Sequence, residues 1–189
     1  MSILEKIKFW FMLRKMRKNN GFAEVLRQYE ESVKKALAYT IDELEQLSDQ
    51  ELYEAVRARA EHKAELEDYG VSSLTEAQLV VYITSYYEME VCNGGLCQFF
   101  VNSSRRFAPY LSQCLEVLGA EEHKKLFDAF VSANNIDLND LSSFDIEKVE
   151  EFAEQNERYP FDEFDNAFYT LPSISECSYT YVKEHIDEL

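Results

Sequence analysis

The chain has 189 residues, of which 46% are hydrophobic and 14% aromatic, which excludes disorder over most of its length and any need for disulfide or metal staples. Only 5 Gly and 3 Pro argue against a many-turned β-sandwich and for helices. A net charge of −17 sets the body against nucleic acid and anionic membranes and toward basic partners, although acidity also serves plain solubility.

Residues 2–18 stand apart, with six basic residues and one acid. Ile3, Ile7 and Trp10, with Leu4 and Phe11 alongside, follow helical spacing. Lys8 interrupts the apolar run and no small-residue cleavage site follows, so the segment does not read as a signal peptide. It is also too short and too charged to span a bilayer. A basic amphipathic helix of this kind has two destinations for its apolar face. One is the acidic body of the same chain, and the other is an anionic membrane surface or a partner. The predicted organisation is therefore a basic N-terminal helix over 1–20 and an acidic all-helical domain over 21–189.

Asn19-Asn20-Gly21 is the predicted helix end, because Asn and Gly tolerate the left-handed C-terminal position. A second helix is predicted over 22–38, with Phe22, Val25, Leu26, Tyr29, Val33 and Leu37 on one side. Three capping boxes follow: Thr40 with Glu43, Ser48 with Glu51, and Thr75 with Gln78. In each, the hydroxyl accepts from an orphan backbone N–H and the residue three later reaches back. Helices are thus expected to start near 41, 49 and 76, the second running to about Lys63. The third is apolar on most sides and reads as the central, most buried helix. Asn93-Gly94-Gly95 interrupts it, since paired glycines weaken a continuous helix. Further helices are predicted over 107–118, stopped by Gly119, and over 121–133, 145–157, 162–169 and 175–186. No strand alternation and no internal repeat is visible, so the fold class is all-α, a single multi-helix bundle-like domain.

Little in the chain points to catalysis. The four cysteines form no C-x-x-C pair and read as free thiols in a reducing, cytoplasmic compartment. The three histidines are widely separated, and no H-E-x-x-H or E-x-x-H pair is present, so no metal and no cofactor is expected. There is no G-x-S-x-G elbow and no phosphate-binding glycine loop.

Two polar groups stand out. Glu88, Glu90, Asn93, Gln98 and Asn102 cluster around the glycine pair. They either satisfy backbone groups freed by the break or line a small pocket there, with Arg105 and Arg106 as counterions for a ligand. The second group is the stretch 137–165, with eleven acids and two bases. Glu147, Glu150, Glu151 and Glu154 follow i, i+3, i+4, i+7 spacing, which puts them on one face of the predicted 145–157 helix. Seven residues rise about 10 Å, so the row approaches the 3.4 Å spacing of phosphates along one DNA strand. Asp162 and Glu163 extend this acidic face. A merely solvated face has the same spacing.

The segment from Tyr87 through Asn93-Gly94-Gly95 to Gln98-Phe99-Phe100-Val101-Asn102 resembles a family of small acidic bacterial helical proteins with an E-x-x-x-x-N-G-G-x-x-Q-F/Y-F-x-N core. Later matches are Leu118-Gly119-Ala120, Phe164-Asp165-Asn166-Ala167-Phe168-Tyr169 and Tyr181-Val182-Lys183 with His185. The family's best-known member is described as a DNA-mimic protein. The resemblance implies an all-α fold. It also implies non-enzymatic, regulatory binding of a basic protein, such as a DNA-binding transcription factor, through acidic surface. It implies no catalytic residues. Here Arg105 and Arg106 stand near where the family usually carries a glycine. Two alternatives stay open: a ligand or enzymatic pocket at the Asn93–Gly95 break, and an immunity or antitoxin-type protein. A homo-oligomer is compatible with all of these.

Overall fold

A long helix that is apolar on nearly every side has to be covered on nearly every side. Glu76–Val101 is that helix, and the rest of the second half of the chain wraps it. The computed structural model describes residues 20–66, 70–148 and 150–189. Among these residues there are nine α-helices, three 3-10 turns and no strand. The chain divides into two units, Met1–Tyr39 and Thr40–Leu189.

In the first unit, α1 (Asn20–Ala38) carries exposed ion pairs from Arg27 to Glu24 at 2.6 Å and to Glu31 at 2.8 Å. Such exposed pairs are screened by solvent and add little to stability. Two members of the predicted apolar stripe, Tyr29 and Leu37, are 49% and 40% exposed. The basic helix predicted over 1–20, with its docking or membrane contact, lies outside the described residues apart from its last residue.

The second unit runs α2 (Ile41–Leu44), α3 (Asp49–Leu66), α4 (Glu76–Val101), α5 (Ala108–Leu118), α6 (Glu121–Ala133), α7 (Glu150–Arg158), α8 (Phe161–Phe168) and α9 (Ile174–Glu184). The three capping boxes set the first three starts. Thr40 accepts from the Glu43 N–H at 3.3 Å, and the Glu43 carboxylate accepts from the Thr40 N–H at 2.8 Å. Ser48 with Glu51 and Thr75 with Gln78 repeat the exchange. At the other end of α5, Gly119 sits at φ 85°, where a glycine has no Cβ to clash. From there the Gly119 and Ala120 N–H groups close back onto Glu116 and Leu115.

Helices α3, α5, α7, α8 and α9 all touch α4. Its buried Tyr87, Phe99 and Phe100 centre an aromatic core. Tyr87 meets Phe99, Phe127 and Phe168 edge-on at 5.3–5.9 Å. Phe100 stacks on Phe144 at 4.8 Å. Each fully buried aromatic of this kind stabilises the fold by roughly 1.5–3 kcal/mol. All four cysteines are free thiols; Cys97 and Cys114 are buried, which pushes their pKa values up to about 12 and about 11. No helix among the described residues is long and apolar enough to cross a membrane.

Candidate functional site

The predicted interruption of α4 is a kink inside one helix. Gly94 (φ −162°, ψ 27°) and Gly95 (φ 77°, ψ 176°) leave helical geometry, and the helix resumes at Leu96. Resumption creates a new N-terminus whose N–H groups need acceptors. Asp165, on α8, supplies one: its Oδ1 accepts from the Leu96 N–H at 2.8 Å. One turn later, the Tyr169 hydroxyl donates to the Val91 carbonyl at 3.0 Å. The Phe164–Tyr169 segment therefore clamps both sides of the kink. A Cβ at Gly95 would overlap the Asp165 carboxylate.

Four polar residues around the kink, Glu90, Gln98, Asn102 and Ser104, are joined to one another. Glu90 is buried and accepts from Gln98 Nε2 at 2.7 Å, Asn102 Nδ2 at 2.8 Å and Ser104 Oγ at 2.9 Å. Three donors on one carboxylate compensate its loss of water. Arg105 forms an ion pair with Asp145 and reaches the Phe100 and Val101 carbonyls at 3.5 Å, at the C-terminal end of α4 where a cation is favoured. Asp145 thus faces the guanidinium that the sequence suggested as a ligand's counterion. The Arg106 guanidinium lies over the Phe107 ring at 4.7 Å. Asn93, next to the kink, is exposed. Glu88 is drawn elsewhere: its Oε1 accepts from the Ile174 N–H at 2.7 Å and so caps α9. Burial raises the Glu88 carboxyl above its ordinary range, and the Ile174 N–H partly offsets this.

The acidic stretch is arranged differently from its predicted form. Helix α7 starts at Glu150, not at 145. Asp140 accepts from the Ser142 N–H and a 3-10 turn occupies Ser142–Phe144. Asp145 is then extended, and Glu147 lies in a bend. The Glu151 carboxylate folds back to accept from the Glu147 and Lys148 N–H groups at 2.7 and 3.3 Å. Hence Glu147, Glu150, Glu151 and Glu154 do not form one helical row: Glu147 precedes the helix and Glu151 caps it. The i, i+4, i+7 row is instead Glu150, Glu154 and Glu157, all exposed on a helix with no buried residue. Asp162 and Glu163 are exposed in the first turn of α8. Of the eleven acids in 137–165, nine are exposed; only Glu151 and Asp165 are partly buried.

Three recesses adjoin these elements. One of about 480 Å³ is mainly apolar, between α4 and α5, bordered by Leu79, Ile83, Phe107 and Tyr110. Another, about 390 Å³, opens beside Glu154, Gln155 and Arg158. A third, about 240 Å³, lies between α3, α4 and α9 and is lined by Tyr53, Arg57, Glu88, Cys92 and Tyr179. Glu90, Asn93, Gln98 and Asn102 line none of the three. Among the described residues no group of three or more His, Cys, Asp or Glu is placed to hold a metal ion.

Fold and surface together define an acidic all-α protein built around a kinked, capped central helix, with Glu90, Gln98, Asn102 and Ser104 joined by internal hydrogen bonds. The chain belongs to the DMP19-like protein family, which it matches over residues 72–185, from just before α4 to the end of α9. No curated protein and no solved structure matches it.

Proposed function

We propose that this protein is a non-enzymatic regulatory protein that binds a basic, DNA-binding partner, such as a transcription factor, by covering its DNA-binding face. The observation that carries the reading is the exposed carboxylate surface of 137–165. Nine acids there face solvent, and Glu150, Glu154 and Glu157 rise along one side of α7. That row spans about 10 Å, roughly three phosphate steps of a single DNA strand. Membership of the DMP19-like family supports the reading, as does the resemblance of the kink segment to DNA-mimic proteins. A net charge of −17 favours a basic protein over direct contact with nucleic acid.

The test is capture of partners on the immobilised full chain at low and at physiological salt. A retained DNA-binding protein is expected to be released by salt and by duplex DNA carrying its own site. The triple variant Glu150→Gln, Glu154→Gln, Glu157→Gln is expected to lose retention while keeping its helical circular dichroism. Retention that ignores salt, duplex DNA and the triple substitution overturns the reading.

A further inference from the structure

The small recess between α3, α4 and α9 is built by one face of each helix. Gln50, Tyr53, Glu54 and Arg57 reach it from α3 at i, i+3, i+4 and i+7. Glu88, Met89 and Cys92 approach from α4, and Tyr179 from α9. We propose that this recess binds an organic cation: an alkylguanidinium or alkylammonium group on an extended aliphatic arm.

The size sets the first limit. At about 240 Å³ the recess is smaller than the roughly 300–1,000 Å³ of drug-sized pockets, so it suits one arm with its head group. The charges set the second. The N-terminus of α9 is the natural place for an anion, but the chain's own Glu88 occupies it through the Ile174 N–H, and Ser173 caps the Glu176 N–H. The only cation in the lining, Arg57, is paired with Glu61 at 3.3 Å. The lining therefore carries two carboxylates against one guanidinium: Glu54, which accepts from Gln50 Nε2 at 3.0 Å, and Glu88, which Arg57 also attracts. Burial already disfavours the charged form of Glu88, and an entering cation relieves that penalty. The walls add two aromatic rings, Tyr53 and Tyr179, at 6.3 Å and nearly edge-on, whose faces attract cations. No residue of 137–165 takes part, so the inference stands independently of the acidic-face reading.

Two sources supply such a group: a free small molecule or a Lys or Arg side chain of a partner protein. Agmatine probes the first and an acetylated, amidated Gly-Arg-Gly peptide probes the second. Titration of the full chain with each, followed by amide NMR shifts, is expected to give saturable changes confined to residues 50–57, 85–92 and 173–179. Succinate, of opposite charge, is expected to give none there. Tighter binding of the peptide assigns the recess to a protein side chain, and tighter binding of agmatine assigns it to a small molecule. Glu88→Gln is expected to weaken either probe about tenfold by removing a charge-assisted partner. Because Glu88 also caps α9, Met89→Trp provides a second test from a 40% exposed position. It fills the recess and is expected to abolish the shifts with the fold intact. The Glu150, Glu154, Glu157 triple variant is expected to bind agmatine as the wild type does. No saturable shift in the recess with either probe, or undiminished binding by Met89→Trp, overturns the proposal.

Discussion

At Gly95 the backbone adopts φ 77° and ψ 176°, a conformation that L side chains rarely adopt, with the Asp165 carboxylate where a Cβ would sit. Gly95→Ala is expected to destabilise the protein by about 3 kcal/mol, combining backbone strain with displacement of the Leu96 cap. Gly94 has an ordinary extended φ, and a Cβ there meets mainly the flexible end of Gln98. Gly94→Ala is expected to lower stability by only about 1 kcal/mol, the net value of the Gln98–Glu90 bond it disturbs. Urea midpoints of the two variants, read against wild type, check the ordering; equal losses would refute it. The same scale contains a proton-linked site. His123 is buried against Phe168, with Nε2 at 2.7 Å from the Pro172 carbonyl and Nδ1 unpartnered. Burial lowers its pKa below the ordinary value of 6.5, and the Pro172 carbonyl opposes the shift. The unfolded chain therefore binds the proton more readily. The neutral ring's contribution is present above about pH 6.5 and is lost as pH falls through and below that value. His123→Gln keeps a donor for Pro172 without titrating. The wild-type advantage over this variant is expected to shrink between pH 7.5 and pH 5.5, which thermal melts across that window measure.

Elements were legible where their signal is local. The three capping boxes place helix starts at Ile41, Asp49 and Glu76 because donor and acceptor lie three residues apart in sequence. The paired glycines mark the kink for the same reason. What holds the kink was not legible, because Asp165 and Leu96 are 69 residues apart. The acidic helix shows the opposite failure. Spacing alone made a row from Glu147 to Glu154, and an Asx-type turn at Asp140 with a 3-10 turn at Ser142–Phe144 moved the helix start to Glu150. Glu151 then became a cap, and Glu157 entered the exposed row. The recess between α3, α4 and α9 had no signature in sequence, since its walls come from three segments more than 25 residues apart. The altered role of Glu151 has a measurable consequence. Glu151→Ala frees the Glu147 and Lys148 N–H groups and is expected to cost about 1 kcal/mol. Faster hydrogen exchange confined to the amides of 147–153 checks it. Global loosening would contradict a local capping role.

Over the whole molecule, charge acts on stability and on binding with opposite salt dependence. The excess of acids is spread over 19–189, with net charges of −9 for residues 19–120 and −13 for 121–189. Like charges at this density repel in the folded state more than in the expanded chain. Screening this repulsion favours folding. Screening the proposed attraction between 137–165 and a basic partner disfavours that complex. Raising ionic strength from about 0.01 M to about 0.15 M shortens the Debye length from about 30 Å to about 8 Å, which leaves only near neighbours in contact through charge. The melting temperature is thus expected to rise by a few degrees over the same range in which partner retention falls. The Glu150, Glu154, Glu157 triple variant separates the two effects. It removes three exposed charges with no buried partner, so its melting temperature in low salt is expected to match or exceed that of wild type while its retention drops. A triple variant that melts well below wild type would mean that these carboxylates support the fold, and the acidic face would then need a structural explanation.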